Sequence, residues 1–185
     1  MSQSKKKLMI IDGNALVHRS FHALPPSMAT KSGEVVNAVY GFTSFLMKAI
    51  REIRPEYVAL TMDKKGPTFR HKIFPEYKAT RVKAPQELYD QIPRVKEVAA
   101  AFDIPTFEQD GIEADDLIGA IAARVDGEVE KIIVTGDKDT LQLVNGHTKV
   151  YSMSRGVTES LLYDEDAVKL KMGIRPDQMV DYKAL

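Results

Sequence analysis

The sequence predicts an α/β domain built on a largely parallel central sheet. Two observations carry that expectation. Short apolar runs alternate with stretches of helical periodicity along the 185-residue chain. The apolar runs are continuous rather than alternating, as in strands covered on both faces.

The first run, "LMIID" (8–12), is a strand ending on an acid. Phe42, Phe45, Leu46, Ala49, Ile50 and Ile53 then follow helical spacing, and Pro55 ends that helix. "YVALTMD" (57–63) is the second strand. Leu88, Ile92, Val95, Ala99 and Phe102 mark a second helix, closed by Pro105. Leu117, Ile118, Ile121, Ala122 and Val125 mark a third, ending near Gly127. "KIIVTGD" (131–137) and "KVYSM" (149–153) are further strands, and "RPDQMVDYKAL" is a short helix with Pro176 near its start. No internal repeat interrupts this order, so residues 1–185 are expected to form one domain.

The segment "KKGPTFRHKIFPEYKATRVKAP" (64–85) fits neither pattern. It is expected to be a long excursion, flexible or partly helical, standing off the sheet. Loops of this length are commonly functional or disordered.

Composition narrows the function classes. Hydrophobic residues make up 44% and charged residues 28%, as in ordinary globular proteins. No apolar run approaches the roughly 18 residues of a membrane span. The apolar part of "MSQSKKKLMIID" is too short for a signal peptide. With no cysteine there is neither a disulfide framework nor a thiolate metal site, and a cytoplasmic location is expected. The formal net charge is zero, but its distribution is uneven. Lys64, Lys65, Arg70, Lys72, Lys78, Arg81 and Lys83 are opposed locally by Glu76 alone, while acids gather at 108–116 and 159–166.

The acids carry the chemistry. Each of the first three strand runs ends on an aspartate: Asp12, Asp63 and Asp137. In an open parallel sheet, ligands bind beyond the carboxyl ends of the strands, so these acids should converge on one edge. Asp139 follows in "TGDKD", and Glu113, Asp115 and Asp116 crowd the front of a helix in "GIEADDLIGAIA". A helix N-terminus favours one or two acids by itself, and a lone strand-end Asp is commonly a cap or turn residue. The joint pattern is different. Carboxylates crowded at one sheet edge repel unless a cation compensates them. The four histidines, His18, His22, His71 and His147, show no metal spacing, so the compensator is a hard divalent ion with oxygen ligands, Mg²⁺ or Mn²⁺. Paired ions of this kind are a common device for phosphodiester hydrolysis. The bases of the excursion suit phosphates, and Phe69, Phe74 and Tyr77 suit stacking on unpaired bases. A phosphatase using Asp12 as nucleophile would want a second acid where this chain has Asn14.

The stretches "LMIIDGNALVHRSFHAL", "NAVYGF", "MDKKGPTFRHKIFPEYKATR", "GIEADDLIGAIA", "TGDKDTLQLV" and "GIRPDQMVDYKAL" occur in that order. Together they resemble the N-terminal 5′ nuclease domain of bacterial DNA polymerase I, related to flap endonucleases and the PIN-like group. The resemblance spans nearly the whole chain. It implies a PIN-like fold with a basic helical arch, or a flexible loop, after the second strand. It implies that two divalent metal ions, Mg²⁺ or Mn²⁺, are used to remove nucleotides or a displaced flap from a 5′ end, in primer removal and DNA repair. Asp12, Asp63, Glu113 and Asp115 match the acids of the first metal, with Asp116 beside them acting through water, and Asp137 and Asp139 match those of the second. Tyr77, Lys78 and Arg81 match catalytic arch positions. Arg19 and Arg70 match basic positions near the scissile phosphate, and Lys64, Lys65, Phe69, Lys72 and Lys83 belong to the same DNA-binding set.

The resemblance also implies partners: DNA with a 5′ end or flap, an RNA primer–DNA hybrid, and polymerase domains in the intact gene product. It implies a bacterial, nucleoid-associated monomer with no membrane contact. In the family, "DYKAL" leads into Gly-Asp-x-Ser-Asp-Asn and a helix–hairpin–helix element, and the sequence ends at Leu185 before both. That departure implies a weaker second metal site and a weaker duplex grip. The alternative expectation is a DNA-binding chain with weak or absent catalysis.

Overall fold

The computed structural model describes residues 5–155 and 159–185. The first four residues of the basic N-terminus lie outside them. The strands β1 (Lys7–Asp12), β2 (Tyr57–Thr61), β3 (Thr106–Phe107), β4 (Glu130–Thr135), β5 (Thr148–Arg155) and β6 (Glu159–Tyr163) form one sheet in the order β3-β2-β1-β4-β5-β6. All pairings are parallel except β5 with β6. The order reverses between β1 and β4, and ligands of such sheets bind in the crevice at that switch point.

Helices cover both faces, which explains the continuous apolar runs. Met9 and Ile11 point to one side, where Leu16 and Val17 of α1 (Gly13–Ala23), Phe42, Phe45 and Leu46 of α2 (Asn37–Ile53), and Leu88 and Val95 of α4 (Gln86–Ala101) pack. Leu8 and Ile10 point to the other. There they meet Ile118 of α5 (Ala114–Arg124), Val168 of α6 (Glu165–Met172) and Met179 of α7 (Met179–Ala184). The turn from β1 into α1 is tight. A Cβ on Gly13 would stand 2.1 Å from the Met62 sulfur and 2.9 Å from the Thr61 carbonyl, so only glycine lets α1 start against β2.

The expected strands and helices are present with their ends shifted. β2 and β4 stop two residues before Asp63 and Asp137, leaving both acids in the loops beyond the strands. Several elements escape the sequence patterns. α1 mixes its apolar residues with His18, Arg19 and His22, β3 is a single exposed pair, and α6 buries only Val168. The excursion is partly helical, through α3 (Phe69–Ile73), but it does not stand off the sheet. Ion pairs fold it back over the strand ends, because its cations find the crowded acids within reach.

Candidate active site

Asp12, Asp63, Glu113, Asp115 and Asp137 line one cavity of about 230 Å³ beyond the switch point, with Asn14, His18, Lys78 and Arg81. The three strand-end aspartates therefore converge as the topology requires. A larger cavity of about 420 Å³, between residues 30–39 and α4, contains none of these acids.

Each acid is held differently. Asp12 is 3% exposed and caps α1, accepting from the Ala15 N–H at 2.9 Å. Its other oxygen accepts from the Thr135 hydroxyl at 2.6 Å. That hydroxyl also accepts from the Asp137 N–H at 2.9 Å, so one buried threonine ties together two cleft acids, one ending β1 and one in the loop after β4. Asp63 accepts from the Asn14 amide at 2.6 Å and from the Ala114 N–H, at the start of α5, at 2.7 Å. Asn14 and Thr135 are the contributors that sequence patterns missed. Their position two residues after (Asn14) or before (Thr135) a strand-end acid is the only signal they carried.

Glu113 is 7% exposed, and donors from the excursion take both its oxygens. Lys78 Nζ lies 2.8 Å from Oε1, while Tyr77 Oη and Arg70 Nη1 lie 3.1 and 3.3 Å from Oε2. Partial burial pulls the Lys78 ammonium down, but its hydrogen bonds to Glu113 and Tyr77 outweigh this, and its pKa is raised. Lys78 also stands over the Tyr77 ring.

Electrostatics divide the cleft. Asp115 lines the cavity, where desolvation, then the charges of Asp12, Asp137 and Asp63, push its carboxyl up to about 6. Burial raises Asp12 as well, against the hydrogen bonds from Thr135 and Ala15, and Asp137 and Asp63 add to the rise. Partial burial, then His22, lowers His18.

The structure does not bring Asp116 or Asp139 to the cavity. One residue further along α5 turns a side chain by about 100°. Asp116 therefore leaves the cleft and meets Arg70 in a two-pronged pair at 2.6 and 2.7 Å, which lowers its pKa. It also accepts from the Glu113 N–H, closing the first turn of α5. Asp139 pairs with Lys183 of α7.

None of the predicted DNA-binding residues outside the arch triad lines the cavity itself. Arg70 lies 4.6 Å from the centre of the half-exposed Phe69 ring. Lys64 pairs with Asp110 at 2.8 Å, the Arg19 stem lies against Gly136, and Lys65, Lys72 and Lys83 are exposed. His71 serves its own helix, accepting from the Thr68 N–H at 3.1 Å.

The cavity's carboxylates suit a hard divalent cation. Burial, then the charges of Asp137 and Asp63, raise Asp12, and desolvation, then the charges of Asp12, Asp137 and Asp63, raise Asp115; among the described residues neither has an ion pair of the kind Glu113 has. Among the described residues no three His, Cys, Asp or Glu side chains, as they stand, are grouped so that they could hold a metal ion.

A family described as the 5′-3′ exonuclease, N-terminal resolvase-like domain matches residues 7–173. DNA polymerase I of Bacillus caldotenax is 41% identical over 182 residues, covering 98% of the chain and 21% of the relative. DNA polymerase I of Chloroflexus aurantiacus is 42% identical over 183 residues, covering 96% and 19%. The chain thus spans about a fifth of the length of these relatives. Among solved structures, T5 5′-exonuclease with bound zinc superposes with a TM-score of 0.68 at 20% identity, covering 97% of this chain and 66% of that one. Human GEN1 in complex with Holliday junction DNA superposes at 0.56 and 16% identity, covering 97% and 44%. At these identities the superpositions establish a shared fold. The match over residues 7–173 and the identity across nearly the whole chain establish descent: the chain belongs to the 5′-3′ exonuclease N-terminal domain family.

Proposed function

We propose that this chain is a structure-specific 5′ nuclease that hydrolyses DNA phosphodiester bonds with two divalent ions, Mg²⁺ or Mn²⁺. The observation that carries the reading is the cavity at the strand-order switch, lined by Asp12, Asp63, Glu113, Asp115 and Asp137 and faced by Lys78 and Arg81. Those five carboxylates are the residues to hold the ions; Asp116 and Asp139 act from outside the cavity. When bound, the ions supply charge stabilisation for the phosphate and activation of the attacking water.

The chain's own residues do the rest. Thr135 and Ala15 fix Asp12, and Thr135 also orients the loop of Asp137. Lys78 and Arg81 present positive charge to a phosphate entering the cleft and offset its growing charge in the transition state. Lys78 must first exchange Glu113 for that phosphate. Tyr77 stacks on a base near the 5′ end. Arg19, Lys64, Lys65, Arg70, Lys72 and Lys83 neutralise the flanking backbone, and Phe69 adds a second stacking face.

The partner is DNA with a 5′ end or flap, or a primer hybrid, as in primer removal and repair beside a polymerase. A cytoplasmic, nucleoid-associated site follows from that partner, and among the described residues no helix is long and apolar enough to cross a membrane. The test is cleavage of a 5′-flap substrate by Asp63→Ala and Asp115→Ala with Mg²⁺ or Mn²⁺. Both variants are expected to lose cleavage while binding DNA in chelator. Persistent cleavage in both would refute the assignment. Salt-sensitive binding by the parent chain without metal-dependent cleavage would identify a non-catalytic DNA binder instead.

A further inference from the structure

We infer that Asn14 is a positioning residue that aims Asp63 at the cation site. Asp63 needs such a residue. It lies beyond the end of β2 and its side chain is exposed. What holds it is a reciprocal pair with Asn14. Asn14 Nδ2 donates to Asp63 Oδ2 at 2.6 Å, and the Asp63 N–H donates to Asn14 Oδ1 at 3.1 Å. The pair permits one orientation of the amide, because a flipped amide would set a carbonyl oxygen against the carboxylate and an NH₂ against an N–H. Asn14 therefore fixes both the loop and the carboxylate of Asp63. The Ala114 N–H holds the second oxygen at 2.7 Å.

Placement and charge make the amide suitable. Asn14 stands in the first turn of α1, two residues after Asp12, so it ties Asp63 to the turn that fixes Asp12. It also lines the same cavity. Asn14 is neutral, so its hydrogen bond persists whether or not a cation is present, whereas the ammonium of Lys78 on Glu113 opposes one. Two donors leave lone pairs free on Asp63, since an ionised carboxylate accepts at about four positions.

The inference rests on the metal-dependent reading, and the experiment separates the two. Mn²⁺ binding to the DNA-free chain is measured by the free-ion electron-spin-resonance signal in the parent, Asn14→Ala, Asp63→Ala and the double variant. Loss of an outer hydrogen-bond partner typically weakens metal affinity about 10–100-fold, and Asn14→Ala is expected to raise the Mn²⁺ Kd by that factor. Its melting temperature is expected to fall by no more than about 4 °C without metal. Binding of flap DNA in chelator is expected to be unchanged. On the Asp63→Ala background, Asn14→Ala is expected to do nothing further. Should Asn14→Ala melt much lower, Asn14→Ser, whose hydroxyl falls short of Asp63, reads the same Kd. An unchanged Kd in the Asn14 variants beside a raised one in Asp63→Ala overturns the role of Asn14 alone, as does an additive double variant. An unchanged Kd in Asp63→Ala overturns the metal-site reading and this inference with it.

Discussion

Asp115 and Asp116 occupy successive positions in the first turn of α5 and face opposite sides of the site. Asp115 looks across the cleft to Asp12, Asp63 and Asp137, and its carboxyl is pushed up to about 6. Asp116 faces Arg70, which holds its carboxyl below the usual range. The same division runs through the whole cleft. On the excursion side, Glu113 and Asp116 already have their counter-ions in Lys78 and Arg70. On the sheet side, neutral donors hold Asp12 and Asp63, leaving their negative charge uncompensated. The sheet side is arranged to receive cations, and the excursion supplies internal ones to the rest.

The largest expected effect breaks this comparison directly. Removing a cleft acid forfeits several kcal/mol of transition-state stabilisation, so Asp115→Ala should slow flap cleavage by about a thousandfold under saturating Mg²⁺. Asp116→Asn, which only loosens the excursion, should slow it by no more than about tenfold. Equal losses would erase the distinction between the two sides.

Next in size is the counter-ion. Lys78→Met leaves a buried carboxylate with fewer partners, and metal-free stability should fall by about 1–2 kcal/mol in urea unfolding, since Arg70 and Tyr77 remain on Glu113. Divalent-ion affinity should rise in the same variant, because an ion no longer competes with the ammonium. A fall in affinity would assign Lys78 a supporting role instead.

The acid pair also predicts pH effects of opposite sign. The folded Asp115 carboxyl, at about 6, stays protonated where the unfolded one, near 3.8, has ionised. Its contribution to stability is complete below 3.8 and is lost as pH rises through about 6. Asp116 is lowered from 3.8, so its contribution is present above that value and is lost as pH falls through the folded pKa. Between pH 7 and 5 the metal-free melting temperature should therefore gain an increment that Asp115→Asn abolishes and Asp116→Asn leaves in place. Saturating Mg²⁺ should abolish it too, by holding Asp115 ionised.

The smallest effect is that of salt. Arg70 and Lys78 are partly exposed, and exposed ion pairs weaken as the Debye length shortens to about 3 Å at 1 M salt. Proteolysis within residues 64–85 should quicken several-fold in high salt while the sheet stays protected.

Much of this arrangement was legible in the sequence because it rests on one-dimensional signals. Continuous apolar runs ending on Asp12, Asp63 and Asp137 gave the parallel strands and, through the switch-point rule, the shared edge. The signal failed where direction matters more than composition. "EADD" places Asp115 and Asp116 together, and only the helical turn separates the cleft-facing carboxylate from the one that meets Arg70. Basic residues at 64–83 suggested a segment open to DNA, yet the same charge draws Arg70 and Lys78 onto Glu113 and Asp116. Asn14 and Thr135 carry no charge pattern and became visible only as hydrogen-bond partners. β3 and α6 bury too little to leave a period.

Mn²⁺ titration of the DNA-free chain in Asp115→Asn and Asp116→Asn tests the division of the cleft most directly. The account predicts a Kd raised at least about tenfold in Asp115→Asn and held within about threefold of the parent in Asp116→Asn. Equal shifts, or the larger shift in Asp116→Asn, would contradict it.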